Sequence, residues 1–248
     1  MTGRVVLITG AASGIGAETA RQIAAPDTAL VLHTRARRDA LEGLAADLAP
    51  RAGGCLCVTG DLADPATAPA LAEAALARFG RLDQLVAAAG FAQRGGLAQT
   101  SAEDMEAAWR AMTLGIFALA KATLPLIAAS PCPRFVAVSS FGAVHYSATG
   151  LFIASAAAKA GLESLVRTLA AEHAAQGIPI NAVAPGYTEK DGAHSSLDPA
   201  AWEAVTANIP MRRLGRRAEV AGLIAHLLGP FGGYITGQVL HVDGGLTL

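Results

Sequence analysis

The run Thr9-Gly-Ala-Ala-Ser-Gly-Ile-Gly16 constrains this chain more than any other feature. It follows a short apolar stretch, residues 5–8, and opens a segment of helical period from residue 14 to about 25. Glycine lets a backbone turn sharply and lie close against a ligand. A helix N-terminus adds free N–H groups and the positive end of a dipole. Strand, Gly-rich turn and helix in that order predict a dinucleotide-binding start, with Gly10, Ser13, Gly14, Ile15 and Gly16 as candidates at the pyrophosphate. An ordinary Gly-rich turn reads the same way in isolation; the position at the very start of the chain favours binding.

The rest of the chain alternates in the same manner. Apolar runs at 29–34, 55–59, 82–87, 135–138, 178–183 and 239–242 predict strands. Between them, helical periodicity covers 38–48, 65–79, about 112–128, 151–175 and 217–228. Pro65 is expected in the first turn of its helix, where a missing N–H is harmless. Thr100 and Glu103 are expected to form a capping box. Repeated β-α-β units imply an α/β fold: a doubly wound parallel sheet of Rossmann type, with helices on both faces and right-handed crossovers. The expected organisation is one domain, 1–248, because no Ser-, Pro- or Gly-rich linker interrupts it. Residues 186–213, with Tyr187, Asp191, His194, Pro199 and Pro210, break the alternation. They read as an inserted lobe over the strand C-termini, where ligands bind in such sheets.

Charge excludes some partners. Nineteen basic and 20 acidic residues give a net charge of −1, so neither nucleic acid nor an anionic membrane is expected. No apolar run reaches the roughly 18 residues of a membrane span. The three cysteines show no metal-ligand spacing, so no metal is expected, and their sparse use fits a reducing compartment. Cys55 and Cys57 read as small buried hydrophobes within a strand. The N-terminus lacks the features of a secretory leader, and a cytoplasmic protein is expected.

The end of the second strand bears on the choice of cofactor. An acid there binds a ribose 2′-hydroxyl, whereas an Arg accommodates a 2′-phosphate. The chain reads Leu32-His-Thr-Arg-Ala-Arg-Arg38, with no acid before Asp39. Arg35 therefore favours NADP(H). NAD(H) stays open, since these arginines also suit a solvated surface.

At this point the chain resembles the short-chain dehydrogenase/reductase family. The resemblance is carried by Thr9 to Gly16, Asp61-Leu62, Ala87-Ala-Ala-Gly90 and Ser139-Ser-Phe-Gly142. It continues through Lys159-Ala-Gly-Leu, Asn181-Ala-Val-Ala-Pro-Gly186 and the tail from Tyr234 to Gly245. It implies that Asp61 and Leu62 hold adenine, and that Ala88, Ala89 and Gly90 line the adenosine ribose. Pro185, Gly186 and Thr188 would lie near the nicotinamide. It also implies a small-molecule carbonyl or alcohol substrate and a homo-oligomer, tetramer or dimer.

The family's chemistry uses a Ser, a Tyr and a Lys, usually with an Asn. The Tyr, one helical turn before the Lys, is the acid or base at the substrate oxygen, and the Ser bonds the same oxygen. Here Ser139 and Lys159 match, but the Tyr position holds Ser155. An aliphatic hydroxyl is a far weaker acid than a phenol. The Asn position holds Met112, and the Asn-rich motif after the fourth strand has become Ala87-Ala-Ala. The interval from Ser139 to Lys159 is also longer than the family pattern. Tyr146 within it is one candidate for the displaced phenol; His145 and Tyr187 are others. Lys159 alone also suits a purely ribose-binding role.

Three functions follow. One is an NAD(P)-dependent carbonyl reductase or alcohol dehydrogenase with a modified active site. Another is a non-catalytic dinucleotide-binding scaffold or sensor. The third is a different reaction at Lys159 or a pocket His, with the dinucleotide as spectator.

Overall fold

The structure is a computed structural model that describes residues 3–146, 150–189 and 199–248. Seven parallel strands form one sheet: β1 (Arg4–Thr9), β2 (Thr28–Thr34), β3 (Gly54–Thr59), β4 (Gln84–Ala87), β5 (Arg134–Val138), β6 (Ile180–Pro185) and β7 (Val239–Val242). Their order is β3-β2-β1-β4-β5-β6-β7. The chain leaves β1 toward one edge and returns to β4 on the other side of it. The crevice for ligands in this architecture therefore lies at the C-terminal ends of β1 and β4.

Among the described residues there are eight α-helices: α1 (Gly14–Ile23), α2 (Arg38–Leu48), α3 (Thr67–Phe79), α4 (Ala102–Ala108), α5 (Gly115–Ile127), α6 (Ile153–His173), α7 (Pro199–Ala207) and α8 (Arg217–Leu228), of which α1, α2 and α8 cover one face of the sheet and α3, α5 and α6 the other. Strand side chains alternate between faces. In β1, Val5 and Leu7 pack with α3, α5 and α6, while Val6 and Ile8 pack with α1, α2 and α8. Both faces are buried, which is why the strands read as continuous apolar runs.

Several boundaries differ from the sequence-based expectation. Pro65 lies before α3, which begins at Thr67. The capping box is formed by Ser101 and Asp104 rather than Thr100 and Glu103: Ser101 Oγ accepts from Asp104 N, and Asp104 returns the bond to Ser101 N. Both registers satisfy the spacing, and the shorter Asp reaches back as well as Glu does. Cys55 and Cys57 are only half-buried, since β3 is an edge strand.

The helix expected near Met112 is longer and interrupted. α4 continues through a π-helical turn, Trp109–Leu114, directly into α5. The whole stretch Ala102–Ile127 is apolar enough and long enough to cross a membrane, but half of its most apolar window is buried within the domain. Its inner face supplies Ile116, Leu119, Ala120, Leu124 and Ile127 to the core.

Within the segment expected as a lobe, α7 sends Val205, with Ile209 beyond it, against Phe141 and Leu246. Tyr187, Trp202 and Leu214 flank this cluster. Asp191 and His194 lie outside the described residues.

The first turn is fixed by steric closeness. Gly10 has φ +70°, and a Cβ there would stand 2.8 Å from the Ala89 backbone at the end of β4. At Gly16 a Cβ would stand 2.5 Å from the Gly10 carbonyl oxygen, so α1 docks on the turn only without a side chain. Gly16→Ala should destabilise the fold by about 1–3 kcal/mol, the usual cost of forcing atoms into packed space. Urea unfolding of the two proteins measures it.

Candidate functional site

The cofactor end is built on β1, β2 and β4. Thr9 Oγ1 accepts a hydrogen bond from Ala89 N at 3.2 Å, tying the first turn to the end of β4. Ser13 is the N-cap of α1, Ile15 packs at the edge of the core, and a Cβ built on Gly14 meets nothing within 4 Å. The turn thus opens onto space beside a helix N-terminus, a cradle suited to a pyrophosphate. Arg35 is exposed just past β2 and makes no ion pair among the described residues. Asp61 Oδ1 accepts from Ala63 N, shaping the turn after β3. Leu62 turns its side chain into the core, so its backbone is what remains at the rim.

His33 went without a role in the sequence. It is 1% exposed, and its Nε2 lies 2.9 Å from the Gly60 carbonyl oxygen. Nε2 therefore carries the proton, and Nδ1 is left a buried acceptor with no partner. Burial pushes the imidazole pKa below its ordinary value, against the Gly60 hydrogen bond and the Asp61 charge.

The second half of the site lies at the end of β5. Lys159 on α6 is buried, and its Nζ donates to the Val138 carbonyl at 2.5 Å. A Cβ added to Gly90 would stand 3.1 Å from that Nζ and 3.4 Å from Met112 Sδ, so Lys159 borders the loop after β4. Burial pulls the Lys159 pKa down to about 8, while the Glu163 carboxylate pushes it back up.

The two serines after β5 behave differently. Ser139 is 3% exposed and donates its hydroxyl to Glu163 Oε1 at 2.7 Å. Ser140 is half-buried and accepts from Gly142 N at 3.2 Å, which leaves its proton available to donate. The strand explains the split. Val136 and Val138 face the α1–α8 layer; Phe135 and Ala137 face α6, and Ser139 follows them.

Ser155 is buried, with its Oγ near Gln93 N (3.4 Å) and the Phe152 carbonyl (3.5 Å). It fastens the start of α6 to the loop after β4. Tyr146 is 75% exposed and stacks on His145 with ring centroids 5.5 Å apart; it makes no hydrogen bond to Ser139, Ser155 or Lys159. Tyr187 sits with its ring 4.8 Å from that of Phe141. Pro185 ends β6, Gly186 passes close over Asp243, and Thr188 Oγ1 donates to the Gly186 carbonyl. Ser140 and Glu163, given no role from the sequence, stand beside these candidates in the structure. Strand alternation pointed to the first, and the four-residue spacing from Lys159 to the second.

Known proteins resemble this chain along its whole length. A family model described as enoyl-(acyl carrier protein) reductase matches residues 10–247. A 3-oxoacyl-[acyl-carrier-protein] reductase of Synechocystis is 31% identical, covering 100% of this chain and 98% of the relative. A cis-4-hydroxycyclohexanecarboxylate dehydrogenase of Sinomonas cyclohexanicum is 36% identical, covering 98% and 96%. Among solved structures, Pseudomonas aeruginosa RhlG in an active-site complex with NADP superposes with a TM-score of 0.90 at 32% identity, covering 100% and 98%. The chain belongs to the short-chain dehydrogenase/reductase family.

The lysine makes the site visible in stability. An ordinary lysine titrates near 10.5 and this one near 8. Between those values the unfolded chain binds more protons than the folded one, so this group makes stability rise with pH. Below pH 8 the burial cost is felt in full. Unfolding free energies of the cofactor-free protein and of Lys159→Met, compared at pH 7 and pH 10.5, should converge by about 3 kcal/mol in favour of the parent.

Proposed function

We propose that the protein is an NADP(H)-dependent oxidoreductase that interconverts a carbonyl and an alcohol, without a phenol on α6. The observation that carries this reading is Lys159, buried at the end of β5 and bordering Gly90, in the same crevice as the open Gly10–Gly16 turn. The relatives add support, since they are named as reductases and dehydrogenases and the RhlG structure holds NADP.

The donor set fits a dinucleotide. The N-terminus of α1 and the turn with Gly10, Ser13, Gly14, Ile15 and Gly16 would take the pyrophosphate. Asp61, the Leu62 backbone, Ala88 and Ala89 would border the adenosine. Arg35 would meet the 2′-phosphate. Gly90, Pro185, Gly186 and Thr188 would line the nicotinamide end. When bound, the cofactor supplies or accepts hydride.

The chain's own residues supply the rest. Ser140, not Ser139, is the hydroxyl proposed to donate to the substrate oxygen, because the Ser139 hydroxyl already donates its hydrogen bond to Glu163. Lys159 is the proposed acid in place of the missing phenol. A pKa of about 8 keeps it largely protonated at neutral pH, yet close enough to give up its proton. Residues 186–213 would cover the substrate.

A specific observation favours a second reading, a dinucleotide-binding scaffold that does not turn over. Ser155 has both its hydrogen-bond directions engaged by backbone, and apolar Met112 stands at the same Gly90 that Lys159 borders.

Fluorescence titration and a turnover panel separate the two. NADPH should bind about tenfold or more tightly than NADH, and Arg35→Ala should erase about tenfold of that preference, the loss of a charge-assisted hydrogen bond. NADPH oxidation with a panel of ketones and aldehydes should be measurable and be abolished in Lys159→Met. Tight binding without turnover across the panel decides for the scaffold.

A further inference from the structure

The mechanism above leaves one buried carboxylate unused. Glu163 is 2% exposed and lies one helical turn after Lys159, on the same face of α6. Its Oε1 accepts the Ser139 hydroxyl at 2.7 Å, and Arg167, a further turn along and half-exposed, reaches its Oε2 at 3.5 Å. Lys159 meanwhile donates to the carbonyl of Val138, the residue before Ser139. Two adjacent residues at the end of β5 are thus held by two residues one turn apart on α6, one cationic and one anionic. Lys159 and Glu163 do not touch as an ion pair, so the carboxylate acts on the ammonium through space, where low dielectric makes such a charge effective.

We propose that Glu163 is a positioning residue: its buried charge, anchored by Ser139 and Arg167, keeps Lys159 protonated while α6 presents it to the site. A buried carboxylate is costly unless it is hydrogen-bonded and paired, and both conditions are met here. No other charge is available for the task among the described residues. The π turn brings Met112 to the same Gly90 that Lys159 borders, and its Thr113 donates to the Ala158 carbonyl; β5 contributes Val138 and Ser139. Glu163 is the charged group that acts on Lys159. The proposal rests on Lys159 being the acid of the reaction.

The composition makes this testable without a substrate. The chain has three lysines, Lys121, Lys159 and Lys190. Labelling the full chain with lysine carrying 13C at Cε gives three resonances, assigned with Lys121→Arg and Lys190→Arg. In the parent protein the Lys159 signal should titrate near 8. In Glu163→Gln its midpoint should fall by about one pH unit or more, the effect of removing a nearby opposite charge. In Glu163→Asp, which keeps the charge, it should stay near the parent value. An unchanged midpoint in folded Glu163→Gln overturns the proposal. Should Glu163→Gln fail to fold, the parent protein labelled with 13Cδ glutamate carries the test. The Glu163 signal must then inflect at the Lys159 midpoint and lose that inflection in Lys159→Met; a flat Glu163 signal overturns the proposal. Turnover is not read in either titration. A coupled pair in a protein that reduces nothing removes the oxidoreductase reading alone, and an uncoupled pair in an active enzyme removes the role of Glu163 alone.

Discussion

The contact between the first turn and the end of β4 is the reference for everything on the ligand-facing rim. Gly10 leaves no room for a side chain against Ala89, and Thr9 holds the Ala89 amide. This brings the two diverging halves of the sheet together at the point where the strand order reverses. From there the sheet carries the register outward: β4 pairs β5, β5 pairs β6, and the residues at the end of each strand fall along one rim. A dinucleotide is an extended molecule, and a rim of this kind can meet its two ends with short turns fixed on rigid strands.

The end of β5 shows what holds polar groups inside such a sheet. Lys159, Glu163 and Ser139 are all nearly inaccessible, yet each has a partner: a backbone carbonyl, a hydroxyl and a carboxylate. Ser155 is buried in the same way, bound to the backbone of the loop after β4. Its small hydroxyl fastens the start of α6 to that loop. Each of these four side chains has a partner within the protein, and burial lowers the Lys159 pKa to about 8.

Much of this was legible in the residues. The bounds of α2, α8 and β7 follow the hydrophobic period directly. The Gly-rich turn, Lys159 and the Ser155 that stands one helical turn before it are visible by spacing alone. The missed features have physical causes. Adjacent serines look equivalent in a string, and only the alternation of β5 decides that Ser139 points to α6. Glu163 looks like a surface residue of an amphipathic helix until α6 is packed on the sheet. The π turn has no marker in composition, since it is a matter of hydrogen-bond register. α7 lies in a segment whose helical period is short and bordered by prolines, and its apolar side chains find a partner only once Phe141 and Leu246 are brought beside them.

That π turn has a wider consequence. An α-helix advances about 100° per residue, so one extra residue in a turn rotates everything beyond it by that angle. α4 and α5 form one continuous rod, but the rod has two phases. The part before Trp109–Leu114 turns Ala108 toward Ala154 and Ala158, and the part after it turns Ile116, Leu119 and Ile127 toward the sheet. In an unbroken α-helix Ala108, Met112, Ile116 and Leu119 would share one stripe; the π turn splits that stripe between α6 and the sheet. The chain length through that turn is a rotational setting for the site's wall, and Met112 sits at its pivot.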